Sequence, residues 1–133
     1  MRHLIKERMI IISYSKYSNK KTVIDGIVFD SMREAERYTE LKILEKAKEI
    51  SELQLQVPFM LIEAQYAPDT VTKRGKVKKG KCLEQACKYF ADFVYKNTAG
   101  EMIVEDVKGK RTKEYIIKRK LMLERYGIHI TEV

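Results

Sequence analysis

Ile103-Val104-Glu105-Asp106-Val107-Lys108-Gly109 is the stretch on which the reading of this chain turns. Its apolar residues are β-branched and a glycine ends it, so it reads as a β-strand. Alternation puts Val104, Asp106 and Lys108 on one face and Ile103, Glu105 and Val107 on the other. An acid and a lysine two residues apart, at the end of an apolar strand, are costly to half-bury without a purpose. The plain purpose is a cross-strand ion pair. The alternative is a site.

The flanking sequence extends this strand into a domain. Cys87 to Tyr95 reads as the preceding strand, with Phe90, Asp92 and Val94 on one face and Ala91, Phe93 and Tyr95 on the other. Asn97 to Gly100 is the turn between the two. Downstream, Thr112 is a helix N-cap, the helix runs from Lys113 to about Tyr126, and Gly127 fits its C-terminal stop. Ile128 to Val133 is a last short strand.

Upstream, Leu53 to Glu63 alternates as a strand, in which Pro58 indicates an edge or a bulge. A helix is expected from Met32 to about Lys48, because Ser31 and Glu34 fit a capping box. Its apolar stripe is Ala35, Tyr38, Leu41 and Leu44; Glu34 falls near the stripe's centre and Glu36 opposite. Asp25-Gly26, set between Thr22-Val-Ile and Ile-Val-Phe29, signals a tight hairpin. Ser13 to Lys21 reads as an exposed arm. Residues 1 to 14 read as an N-terminal extension, either an extra strand or an upstream start ahead of Met9, and residues 15 to 133 as one domain. The fold class expected is α/β (α+β): an αβββαβ core, with a mixed sheet of about four strands flanked by two helices and preceded by the hairpin.

At 133 residues the chain has room for one core. A net charge of +8 favours a polyanionic partner, nucleic acid or an acidic membrane surface, over a neutral one. The alternative is a merely lysine-rich composition. The longest N-terminal apolar run, Met9 to Ile12, is too short for a signal or a span, so no membrane partner is expected. Cys82 and Cys87 lack a second pair or a histidine at zinc spacing, which excludes metal fingers and suits a reducing cytoplasm. The region from Ala67 to Lys81 reads as a loop. It carries Lys73, Arg74, Lys76, Lys78, Lys79 and Lys81 against one acid, Asp69. Such a run is either a solvated tip or a phosphate-tracking element, and Lys110, Arg111 and Lys113 make a second basic group beside the charged strand end.

Antiparallel pairing of the two strands brings Asp92 close to Asp106. Two carboxylates held that near repel unless a cation lies between them. Hard oxygen ligands suit Mg²⁺, with Mn²⁺ as substitute; the ion would polarise a phosphate and acidify a water. Lys108 would orient or deprotonate that water, or neutralise developing charge. Glu34 would add a third carboxylate. Gln56, in mid-strand, would position the lysine or the water.

Ala91-Asp92-Phe93, followed by Val104-Glu105-Asp106-Val107-Lys108-Gly109, resembles the PD-(D/E)XK nuclease superfamily. The wider pattern is similar to a phage- and prophage-encoded branch catalogued as a domain of unknown function. It includes Asn19-Lys20-Lys21-Thr22, Phe29-Asp30-Ser31, Glu34-Ala35, Gln56 and Thr112. The resemblance implies Mg²⁺-dependent DNA cleavage, with Asp92, Asp106 and Glu34 as metal ligands, Lys108 as the catalytic lysine and Gln56 as a further site residue. Small members of the superfamily often act as homodimers on branched DNA, so junction cleavage in the host cytoplasm is the use it implies. The superfamily's proline before the aspartate is Ala91 here, and only Asp106 of the Glu105-Asp106 pair satisfies the acid-x-lysine spacing. The rival reading is a nucleic-acid-binding module of the same fold that has lost cleavage. A third is a phage structural or regulatory protein whose basic face meets an acidic protein.

Overall fold

The computed structural model describes residues 10–14 and 20–133; the rest of the N-terminal segment, and the expectations that fall on it, lie outside the described residues. Asp25 and Gly26 both take positive φ, 52° and 78°. This is the turn that joins two strands without splaying them, and β2 (Lys20–Ile24) pairs antiparallel with β3 (Ile27–Phe29) across it. A further strand, β1 (Ile10–Tyr14), pairs with β2. Ser13, Tyr14, Lys20 and Lys21 therefore belong to strands and not to the exposed arm expected there, because each finds backbone partners across the β1–β2 pair.

Helix α1 (Met32–Lys46) starts where expected. The Ser31 hydroxyl accepts from the Glu34 N–H at 3.1 Å and caps it. Ala35, Tyr38 and Leu41 are its buried stripe. The central sheet consists of β4 (Ser51–Ile62), β9 (Cys87–Lys96), β10 (Met102–Asp106) and β11 (Thr131–Glu132), in the order β11-β10-β9-β4. Only the β10–β11 pair is parallel. Pro58 sits on β4, the edge strand, where a missing N–H is tolerated. Helix α2 (Lys113–Tyr126) is capped by the Thr112 hydroxyl and closed by Gly127 at φ 66°. The architecture is thus α+β, with element order α-β-β-β-α-β after the hairpin.

Two cores cover the two faces of the sheet. Ile24, Phe29, Ala35, Tyr38, Leu41, Phe93 and Tyr95 pack together on the α1 side. Leu61, Tyr89, Ala91, Val94, Val104, Tyr115, Met122 and Ile130 pack on the α2 side. Simple alternation along β9 therefore fails: Ala91 and Phe93 lie in opposite cores. The same exchange occurs on β4, where Leu53 and Leu55 join the first core and Val57 and Phe59 the second. Register is kept, with Leu55 opposite Phe93 and Val57 opposite Ala91, so the pair turns over as a unit. The residue at the turn-over is Gln56, at φ 49°. A left-handed residue inside a strand costs on the order of 1–2 kcal/mol.

Residues 67–81 are the loop expected there only in part, because two short strands within them pair across it. The chain continues β4 and β9 into a narrow ribbon in which β5 (Gln65–Tyr66) pairs with β8 (Cys82–Glu84) and β6 (Thr70–Val71) with β7 (Val77–Lys78). Among the described residues, no helix is long and apolar enough to cross a membrane.

Candidate active site

Asp106 ends β10 on the α2 face and is buried, at 3% exposure. Both of its oxygens are engaged. The Tyr89 hydroxyl donates to Oδ2 at 2.6 Å, and Lys108 Nζ stands 3.2 Å from Oδ1. The Lys108 ammonium also sits 4.0 Å above the centre of the Tyr115 ring. Lys108 is thus held between an anion and an aromatic face, two contacts that localise a flexible side chain.

Asp92 lies on β9 next to the last paired residues, Phe93 and Glu105, and so beside Asp106. Its Oδ2 accepts from the Val107 N–H at 2.9 Å, which closes the end of the β9–β10 ladder. Its Oδ1 accepts from Gln56 Nε2 at 3.1 Å, and the same nitrogen donates to Glu34 Oε1 at 3.2 Å. One amide therefore bridges a carboxylate from the sheet and one from the first turn of α1. Gln56, which makes both bonds, is the residue with the left-handed backbone at the turn-over of β4. Of the two bonds of a capping box, Ser31 makes one; the Glu34 carboxylate turns instead to Gln56.

Burial, first, pushes the Glu34 carboxyl up to about 7, and the neighbouring charges of Asp92, Asp30 and Asp106 add to this. Burial likewise raises Asp92, against the Val107 N–H and the Gln56 amide, which pull it down. An all-oxygen donor set short of positive charge fits a hard divalent ion, which takes one or two carboxylates and keeps waters for the rest. Among the described residues, no three acidic, histidine or cysteine side chains form a ready-made cage; the Gln56 amide stands between Glu34 and Asp92.

Glu34, Asp92, Asp106, Lys108, Tyr89 and Tyr115 line a cleft of about 950 Å³ between the N-termini of the two helices, and Gln56 stands behind its lining. Ser31, Arg33 and Glu34 come from one side, and Thr112, Tyr115 and Lys118 from the other. Lys110 also lines it. Arg111 turns away to Glu132 at 2.6 Å, and Lys113 is exposed at the start of α2. Lys73 to Lys81 are on the ribbon, outside the cleft. Sequence reasoning missed Tyr89, whose partner lies on the neighbouring strand, and Tyr115, whose ring meets Lys108 once α2 packs. The Tyr115 hydroxyl is a buried polar atom with no partner among the described residues.

Glu105 points to the opposite face. Arg37 of α1 grips it with Nε at 2.8 Å and Nη2 at 2.7 Å from its two oxygens, and the Tyr95 hydroxyl donates to it as well. At 1% exposure it is a structural anchor between helix and sheet. The strand parity read from the sequence separates these two adjacent acids correctly.

Fold and site together define a small α+β domain with an acidic, lysine-bearing strand end set between two helix N-termini. The chain belongs to the family described as Protein of unknown function (DUF1064), which it matches over residues 14–131. No curated protein and no solved structure matches it.

The raised Glu34 carboxyl makes a prediction for the metal-free protein. Between about pH 4.5 and 7 the folded chain keeps a proton that the unfolded chain has lost, so stability falls as pH rises through that window. Glu34→Gln removes the effect. Urea unfolding in EDTA should show the variant level with the parent at pH 4.5 and more stable at pH 8 by about 1–2 kcal/mol, a figure reduced for solvent screening. Equal stability differences at the two pH values would contradict it.

Proposed function

We propose that this protein is a Mg²⁺-dependent deoxyribonuclease of the PD-(D/E)XK kind. The observation that carries this reading is the convergence of Glu34 and Asp92 on one amide beside the Asp106–Lys108 pair, in an open cleft. Glu34, Asp92 and Asp106 would hold the ion. When bound, Mg²⁺ supplies charge neutralisation at the phosphate and acidifies water. Lys108, held by Asp106 and the Tyr115 ring, presents its ammonium to the attacking water or to charge that develops on the phosphate. Tyr89 fixes the Asp106 carboxylate. The N-termini of α1 and α2 face the cleft and favour an anion there. The +8 charge draws the polyanion in. By likeness to small members of that superfamily, a branched duplex cut by a homodimer is the substrate arrangement to try first.

The test is incubation with plasmid, linear duplex, single-stranded and four-way-junction DNA in Mg²⁺, Mn²⁺ or EDTA. Cleavage in either metal and none in EDTA is expected. Cutting that persists in EDTA contradicts the mechanism. Binding without any cutting favours a module that has kept the fold and lost the chemistry.

A further inference from the structure

The ribbon of residues 63–86 is more ordered than a basic loop needs to be. Its tip is a closed turn: the Thr72 N–H donates to Lys76 O at 2.8 Å, the Gly75 N–H to Thr72 O at 2.9 Å, and the Lys76 N–H to the Thr72 hydroxyl at 3.1 Å. Its neck is closed as well. The Ala67 N–H donates to Lys81 O at 2.8 Å, and the Gly80 N–H to Asp69 Oδ1 at 2.9 Å. A Cβ at Gly80 would lie 1.8 Å from Ala67 O, so only glycine lets the two strands approach there. The single acid of the 67–81 stretch is thus spent inside the ribbon, and the six cations remain for a partner.

The surface it presents is mixed. Val71 pairs with Val77 across the ribbon, and both are bare, at 71% and 68% exposure. Directly opposed residues share a face, so this valine pair forms one face behind the tip. Thr70 and Lys78, one residue on, form the other. Lys73, Arg74 and Lys76 surround the turn. A two-stranded ribbon fits a major groove roughly 12 Å wide, where apolar side chains meet thymine methyls and flanking cations meet phosphates. A single-strand binder would instead offer a series of aromatic stacking platforms; the tip has none, and the arm's one exposed ring, Tyr66, stands alone at its neck.

The placement suits the same substrate. β4 and β9 run past the end of β10 at Asp106 before they become the ribbon. Asp92 and the ribbon's base at Cys87 lie five residues apart on one strand, which is about 17 Å. From there the ribbon reaches a groove within roughly one helical turn, about 34 Å, of a phosphate held in the cleft.

We infer that residues 63–86 form a β-ribbon arm that enters the major groove of duplex DNA whose backbone lies in the cleft. This rests on DNA being the partner, as proposed above, but not on cleavage. The test therefore uses the full chain in EDTA. It compares the wild type with a chain in which residues 70–78 are replaced by a two-residue Asn-Gly turn. The measurements are anisotropy with 30-mer duplex and single strand over a salt series, and dimethyl sulfate protection. The shortened chain should lose at least about tenfold in duplex affinity and lower the salt slope by about 3. Its affinity for single strands should fall by less than its affinity for duplex, because a single strand has no major groove to hold the ribbon and loses only the general charge attraction. Wild type should protect guanine N7, in the major groove, and the shortened chain should not. Should the shortened chain not fold, the surface double variant Val71→Ser with Lys76→Ala carries the same expectations on a smaller scale.

Unchanged duplex affinity overturns the inference, and so does protection of adenine N3 in place of guanine N7. So does a switch from dimer to monomer on sedimentation with DNA binding intact, which would make the ribbon an arm for a second copy. A wild-type chain that gives this footprint in EDTA but cuts no DNA in Mg²⁺ or Mn²⁺ would instead sink the nuclease reading and leave the arm standing.

Discussion

Asp106→Asn should leave a folded protein that binds DNA and cuts it about a hundredfold to a thousandfold more slowly, the scale expected when preorganised electrostatic stabilisation at a reacting group is lost. The carboxylate is the hub of the site. It accepts from Tyr89, holds Lys108 and neighbours Asp92. Asparagine keeps the shape and removes the charge that pairs with Lys108 and that the proposed metal would need. Tyr89→Phe is the graded companion. It removes only the hydroxyl that fixes Asp106, and loss of such an orienting partner costs about 10–100-fold. The check is single-turnover cleavage in Mg²⁺, with thermal unfolding alongside. A folded Asp106→Asn protein that cuts at the parent rate would remove Asp106 from the mechanism.

The second large effect falls one residue earlier and is opposite in kind. Glu105→Ala should destabilise the fold by about 2–4 kcal/mol, since it strands Arg37 and the Tyr95 hydroxyl beside an apolar core. Arg37 is about one-quarter exposed, with 24% of its side-chain surface in water, and rehydrates in part, which is why the loss stays below that of a fully buried pair. That cost is a large fraction of the 5–15 kcal/mol typical of a domain. Urea unfolding measures it. Below its unfolding transition the variant should still cut DNA, because Glu105 faces away from the cleft. A variant as stable as the parent, or one folded but inactive, contradicts the assignment of Glu105 as an anchor.

Local signals carried most of this fold. The Asp25-Gly26 turn, the Ser31 and Thr112 caps, the Gly127 stop and the period-2 run from Ile103 to Val107 each depend on neighbours in sequence, and each lies where expected. Parity alone sent Glu105 to one face and Asp106 to the other. What was illegible depends on distant partners. A glutamine carries no mark of a left-handed φ, so the turn-over at Gln56, and with it the split between Ala91 and Phe93, was not visible. The ribbon strands are two or three residues long, too short to show a period among lysines and glycines. Tyr89 and Tyr115 carry no local mark of their roles, because Tyr89 meets Asp106 only when β9 and β10 pair, and Tyr115 meets Lys108 only when α2 packs on the sheet.

The central claim is that Glu34, Asp92 and Asp106 form a divalent-metal centre beside Lys108. Its most direct test is an anomalous-scattering map from crystals soaked in Mn²⁺. A Mn²⁺ peak is expected in coordination contact with the Asp92 and Asp106 carboxylates, lost in Asp106→Asn crystals. A peak elsewhere, or none at a Mn²⁺ concentration that supports cleavage, would contradict it.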